Sequence, residues 1–318
     1  MPAILAITVP IYLVAAIGWL CTRAGLFQRA DMRVFGKYVV NLALPALLFN
    51  ALSQRSVAEV LNPVFIAAYA IGSVAANLLG LLWARRAAGK SLSASAIIGM
   101  GMSCPNSGFI GFPLVAQLFG PVNAGIALAL AMVVENFLTI PMSLAIADVG
   151  EADAKQRRGE RLRAALLQSM KGVTRNPMIW GMALGFVFSL AGWRLPAPLA
   201  RTVDLFAMAT ASLALFVIGG SLVGVHARGH AREMAAIAVG KLLLHPLCVF
   251  VAVLLLPPMA RELQIAVVVM AAVPTVGIYP ILAQRHGQDT MAAAAQLGTT
   301  VASFFTLTAL VWAVQRLV

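Results

Sequence analysis

From Ser91 to Val134 the chain runs without one charged side chain. A bilayer crossing takes about 20 apolar residues, so this run holds two crossings, divided at Gly120-Pro121. Inside the first stands a break, Met102-Ser103-Cys104-Pro105-Asn106-Ser107-Gly108, followed by Pro113, Ala116-Gln117 and Gly120. A break of the same design returns late in the chain as Met270-Ala271-Ala272-Val273-Pro274-Thr275-Val276-Gly277, followed by Pro280, Ala283-Gln284 and Gly287. Both read Pro-x-x-Gly, a short spacer, then Pro-x-x-Ala-Gln-x-x-Gly. A broken membrane helix that recurs in both halves points to a transporter binding site at mid-membrane.

Composition agrees with that class. Hydrophobic residues make up 61% and charged residues 11% of the 318 positions, and mean hydropathy is +0.91, outside the range of soluble domains. Ten stretches are long and apolar enough to cross, near 3–22, 36–54, 63–84, 92–118, 121–147, 174–192, 198–224, 233–256, 262–284 and 290–314. The first has no Lys or Arg before it and is expected to stay as a helix, not to be removed as a signal peptide. Lys and Arg gather in the odd-numbered loops, among them Arg23 to Lys37, Arg85 to Lys90 and seven positions from Lys155 to Arg175; the even loops hold only Arg55, Arg194, Arg201 and Arg261. By the positive-inside rule the odd loops are cytoplasmic and both termini lie outside, in a cell inner membrane. The net charge of +12 is then a topology signal, not a nucleic-acid footprint.

The halves align along their length. Pro10, Gly18 and Gly25 fall on Pro177, Gly185 and Gly192 at a constant offset, and Asn136-Phe137-Leu138-Thr139 falls on Ser303-Phe304-Phe305-Thr306. Five spans per repeat, an odd number, put the second copy in upside down. The expected fold is all-α, ten transmembrane helices as a 5+5 inverted repeat with a pseudo-two-fold axis in the membrane plane. Residues 1–147 form the first repeat, 148–172 a cytoplasmic linker of mixed charge, and 173–318 the second repeat.

Each break has a physical consequence. Proline removes a backbone donor and clashes with the turn before it, and glycine three residues on lets the chain leave helical geometry. Irregular backbone survives at membrane depth only where protein buries it or it lines a polar cavity. Pro105 lies about 20 Å into its span at 1.5 Å per residue, with Pro274 at a similar depth from the other face, so the two breaks can meet. Each leaves a half-helix N-terminus facing the centre, a seat for a small carboxylate. The alternative is a pair of packing kinks. The substrate-site candidates are Pro105, Asn106, Ser107, Gly108, Pro274, Thr275, Gly277 and Tyr279. Asn106 is preferred, since its amide can donate to a carboxylate and accept from a hydroxyl. Tyr279 could line the site, though an aromatic inside a membrane bundle is more often a packing residue.

Two charges lie within spans, Glu135 and Lys241, and intramembrane charge marks function by default. Both sit roughly 10 Å from the cytoplasmic side by helical rise. They can pair, either as a structural ion pair or as a proton or cation relay extended by His245 one turn from Lys241. Asn77, Asn136 and Gln296 are uncharged partners for that network, and Asn41 and Asn50 are candidates in the second span. The sequence holds no H-E-x-x-H, G-x-S-x-G or Walker A motif and no metal-ligand cluster, so no enzyme, cofactor or metal is expected. Cys21, Cys104 and Cys248 lie in separate spans without C-x-x-C spacing and read as packing residues.

Several segments resemble the auxin efflux carrier family of permeases, which includes plant PIN-type exporters and bacterial malate or malonate permeases. They are Tyr12 to Gly18, Leu44-Pro45-Ala46-Leu47-Leu48-Phe49, Pro105-Asn106-Ser107-Gly108, Glu135-Asn136 and Asn176-Pro177, and the resemblance spans essentially the whole chain. It implies a fold like that of bile-acid transporters, with the fourth and ninth spans crossing at their breaks. It also implies a scaffold of spans 1, 2, 6 and 7 and a mobile transport domain of spans 3–5 and 8–10. The implied function is secondary transport of a small organic anion such as malonate, malate or an auxin-like acid across the lipid bilayer. A homodimer is compatible with it. The long hydrophilic loop of the plant exporters is short here, so regulation through that loop is not implied. An anion channel and a sodium-coupled organic-anion symporter are the competing readings; conductance far above carrier turnover marks the first, Na⁺ dependence the second.

Overall fold

The computed structural model describes residues 2–55, 61–150, 175–224 and 229–317, and every regular element among them is helical. In chain order these are α1 (Pro2–Arg23), α2 (Arg29–Ser53), α3 (Pro63–Arg86), α4 (Leu92–Ser103), α5 (Ser107–Gly150), α6 (Pro177–Ala191), α7 (Ala197–Ser221), α8 (Ala231–Leu255), α9 (Arg261–Ala272), α10 (Tyr279–Gln284) and α11 (Asp289–Leu317). Six of them, α2, α3, α5, α7, α8 and α11, are long and apolar enough to cross a membrane; Val9–Arg23 within α1, α4 and α6 are shorter apolar helices. The chain is a multi-pass membrane protein. The linker expected at 148–172 lies, beyond Gly150, outside the described residues.

Helix starts follow local chemistry. The Asn62 side chain accepts from the Phe65 amide ahead of Pro63, and Asn176 accepts from the Met178 amide ahead of Pro177. An Asn cap with Pro at the first helical position satisfies one orphan donor and removes another. At Gly120, φ is +82° and α5 turns there, at the Gly-Pro step where the sequence divides its long uncharged run; only glycine takes that angle without strain.

Prolines also shape the helix interiors. Four π-turns interrupt the helices, at Val39–Ala43, Ser107–Gly111, Glu135–Thr139 and Gly240–Leu244. Each ends two residues before a proline, namely Pro45, Pro113, Pro141 and Pro246. In each, the amide of the residue before proline reaches back five positions, as Ile140 does to the Glu135 carbonyl. The wider turn relieves the clash between the proline ring and the preceding carbonyls. Glu135 therefore opens one wide turn and Lys241 lies in another.

The helices pack as two groups. One is α1 with α7, α2 with α6, and α7 with α2; the other is α3 with α4 and α8, α4 and α9 with α5, and α11 with α8 and α10. Contacts in the first group are reciprocal between the halves. A Cβ on Gly18 would strike the Phe216 backbone, and one on Gly185 would press on Leu52 Cβ and, at 3.0 Å, on the Phe49 carbonyl. The partners share one offset, since 185 − 18 = 167 and 216 − 49 = 167. Between the groups, α5 meets α2, and both α1 and α7 face the start of α5.

Candidate functional site

The two breaks meet. Pro105 and Thr275 face each other as an isolated antiparallel bridge, with the Asn106 amide donating to the Pro274 carbonyl (2.7 Å) and the Val276 amide to the Cys104 carbonyl (3.0 Å). The Thr275 amide reaches Thr299 Oγ1 on α11 (3.4 Å), and the two threonine hydroxyls lie 2.9 Å apart. Pro105 and Pro274 carry no N–H, so the crossing leaves no donor stranded at those positions in a medium that could not satisfy it.

Beyond the crossing the first half-helix starts open. The Ile110 and Gly111 amides both return to the Asn106 carbonyl (3.0 and 3.1 Å), and no side chain caps the turn. The amides of Ser107, Gly108 and Phe109 thus stand ahead of the helical ladder, as at any uncapped N-terminus. Asn106 is only 4% exposed, and among the described residues its side-chain amide has no hydrogen-bond partner. A Cβ on Gly277 would stand 3.8 Å from Gln296 Nε2 and 3.9 Å from Asn106 Nδ2. Glycine at 277 therefore leaves a small gap lined by two amide nitrogens. Gln296 Nε2 donates to the Gly277 carbonyl at 3.3 Å, a long bond. Gly108 packs towards Leu44 of α2.

The second half-helix departs from expectation. α10 has six residues, too few to carry a macrodipole comparable to that of α5, so the two half-helix N-termini are unequal. Tyr279 is fully buried and donates to the Ile97 carbonyl of α4 (3.0 Å), binding α10 to α4 as a packing contact.

A polar network lies behind the crossing. Glu135, 7% exposed, accepts from Tyr69 Oη (2.8 Å) and Ser107 Oγ (2.6 Å), both on Oε1. The fully buried Lys241 donates to the Ala271 carbonyl and lies 3.1 Å from His245 Nδ1; His245 Nε2 lies 2.8 Å from Ser73 Oγ. A direct pair of Glu135 with Lys241 does not form. Two hydroxyls hydrogen-bond the carboxyl, and a helix end receives the ammonium. Asn77 Nδ2 donates to Ser103 (2.9 Å) and Ser143 (2.7 Å), while its Oδ1 is buried without a partner. Asn136 donates to the Met132 carbonyl and accepts from Asn176 Nδ2 (3.4 Å). Asn41 bonds the Lys37 carbonyl and Asn50 bonds Asp204, both away from the crossing.

Tyr69 and Ser73 were not legible as members of this network from charge or motif. Their signal is periodicity, because Tyr69, Ser73 and Asn77 recur every four residues on one face of the otherwise apolar α3. Among the described residues no three His, Cys, Asp or Glu side chains group as a metal site.

Two cavities lie near these elements. The larger, about 530 Å³, is lined by Phe49, Asn50, Arg55, Phe188, Trp193 and Arg194 among others and shares no residue with the crossing. The smaller, about 180 Å³, is bounded by Pro10, Ile11 and Val14 of α1, Pro113 and Gln117 of α5, and Ala211, Ser212 and Leu215 of α7. The unpartnered Asn106 and open amides weigh more than volume, since buried polar groups ordinarily find partners.

A profile of the family described as membrane transport protein matches residues 3–313. The uncharacterized transporter YfdV of Escherichia coli (strain K12) is 26% identical over 315 residues, covering 97% of this chain and 96% of that one. A Rhizobium meliloti (strain 1021) protein named "Putative malonate transporter" is 26% identical over 323 residues, covering 99% and 97%. An uncharacterized transporter of Methanothermobacter thermautotrophicus is 26% identical over 190 residues, 59% of this chain and 57% of its own. The chain belongs to the membrane transport protein family, the auxin efflux carriers whose segments its sequence carries, and is a transport protein, not an enzyme.

Proposed function

We propose that the chain is a secondary carrier that moves a small organic anion across the cytoplasmic membrane by alternating access, binding it where the two breaks cross. The observation that carries this is Asn106, a buried amide without a protein partner beside three amides that precede the helical ladder of α5. A carboxylate satisfies all of them at once, with charge-assisted bonds. The substrate residues are Asn106 with the Ser107 and Gly108 amides; Gly277 and Gln296 shape the opposite wall; Pro105, Pro274 and Thr275 hold the crossing. The malonate named for the Rhizobium relative makes small dicarboxylates the first class to test.

The architecture we propose is ten crossings in a 5+5 inverted repeat, with both termini extracytoplasmic. The matched breaks and the reciprocal Gly18–Phe216 and Gly185–Phe49 contacts support the repeat, and the loop charges support the orientation. In this reading α1, α2, α6 and α7 form the scaffold, and the remaining helices form the part that moves against it. The 180 Å³ cavity between α1, α5 and α7 then lies on the sliding surface.

A binding screen on the purified protein tests the proposal, with dicarboxylates and aromatic monocarboxylates, with and without Na⁺. Saturable stabilisation by a carboxylate is expected in both cases. A strict Na⁺ requirement would point to a sodium symporter, and conductance far above carrier turnover to a channel.

A further inference from the structure

We infer that Ser107 couples occupancy of the anion site to a proton on Glu135, so that one proton travels with each anion. The inference rests on the carrier reading above and adds its coupling ion.

Ser107 faces two ways. Its amide is the first of the open donors at the start of α5, while its hydroxyl donates to Glu135 Oε1 at 2.6 Å. Tyr69 donates to the same oxygen at 2.8 Å. Glu135 Oε2 has no protein partner among the described residues. The carboxyl can therefore keep both donors on Oε1 and carry a proton on Oε2. The titratable groups around it are Tyr69 from α3, Cys104 from the break, and Lys241 and His245 from α8. Cys104 Sγ is directed to Thr139, one turn from Glu135. The Lys241 ammonium is held by the Ala271 carbonyl and His245 and makes no hydrogen bond to the carboxylate; its charge acts on Glu135 only through space.

An anion on the Ser107 amide would be separated from Glu135 by two hydrogen bonds and the serine between them, roughly 8 Å at most. Two negative charges at that separation oppose each other by on the order of tenfold or more in affinity at an effective dielectric of 20. Protonation of Glu135 removes the opposition. The arriving anion also draws the Ser107 hydroxyl to itself, which takes one donor from the carboxylate and favours proton uptake at Oε2. Release of the anion returns the hydroxyl to Oε1 and the proton to solvent. No covalent bond to the substrate forms, and each cycle takes up and releases one proton.

Calorimetry on the full chain tests this with malonate, malate and indole-3-acetate, at about one pH unit either side of neutrality, in two buffers of different ionisation enthalpy. Proton uptake per anion is expected to approach one at the higher pH and to be smaller at the lower, with binding weaker at the higher pH. Glu135→Gln should bind with no proton uptake and a flat pH profile. Ser107→Ala should lose more than half the uptake, and Ser107→Thr should recover it, an outcome that a purely structural role for Ser107 does not produce. Should Glu135→Gln fail to fold, the two Ser107 variants carry the test. Binding without proton uptake, or uptake unchanged in Ser107→Ala, overturns this inference alone. Binding of none of the three acids overturns it together with the carrier reading.

Discussion

The Lys241 ammonium donates to the carbonyl of Ala271 and so caps the end of α9 from a different helix. That carbonyl belongs to the last turn before the break, where no intrahelical amide follows to receive it. A lysine buried in a membrane bundle thus has a structural partner that charge pairing alone does not suggest. A cation at a helix C-terminus also faces the favourable end of the dipole.

Lys241→Met is therefore expected to lower stability by about 1–3 kcal/mol, the cost of leaving a buried acceptor unpaired. Thermal unfolding in detergent measures it. Adding Glu135→Gln should restore only part of the loss, because the two side chains share no hydrogen bond and act on each other through space alone; full recovery in the double variant would make them each other's sole counter-ions.

Asn106→Ala should fold and unfold like the parent, since its amide has no protein partner to strand. Carboxylate binding should weaken by about 1–3 kcal/mol, the range for hydrogen bonds to a charged group. Titration calorimetry beside a melting curve separates the two effects, and unchanged affinity in a folded variant removes Asn106 from the site.

Gly18→Ala places a Cβ against the Phe216 backbone. A backbone cannot rotate away, so a loss of about 1–3 kcal/mol is expected, as for other overpacked contacts. Gly185→Ala, its counterpart against Leu52 and Phe49, should lose less, since its closest contacts are at 2.9 and 3.0 Å. A melting temperature equal to the parent's in both would show that α1 and α7, and α2 and α6, do not approach so closely.

Uptake into proteoliposomes should persist when choline replaces Na⁺. α9 carries no acid after Glu262, and among the described residues no acidic group gathers near the crossing beside Glu135. Glu135 is itself held by two hydroxyls, and the ammonium of Lys241 repels a second cation. Strict Na⁺ dependence would contradict this.

Much of the molecule is readable from residue order. The uncharged run from Ser91 to Val134, divided at Gly120-Pro121, announces a membrane protein and one of its bends, because lipid leaves a helix as the only way to satisfy a single spanning segment's backbone. The two breaks are visible as matched Pro-x-x-Gly segments, since proline and glycine act on their own turn without help from neighbours. Each π-turn lies just ahead of a proline, yet proline alone does not foretell one, since α1 carries Pro10 in unbroken α-helix. Helical depth allows Lys241 and Glu135 to pair; their hydrogen bonds go instead to a backbone carbonyl and to two hydroxyls.

Sequence alone determined where the backbone must break and which side chains would be costly to bury, for these follow from local sterics and from the price of charge in an apolar medium. Tertiary structure alone decided who receives those groups. Tyr69 and Ser107 reach Glu135 from α3 and from the break, Ala271 receives Lys241 from α9, and Asn106 is left with no partner. A hydrogen bond is fixed to within tenths of an ångström, whereas helical rise gives only depth, and several residues share any one depth. The partner is set by which faces of the packed helices turn towards each other.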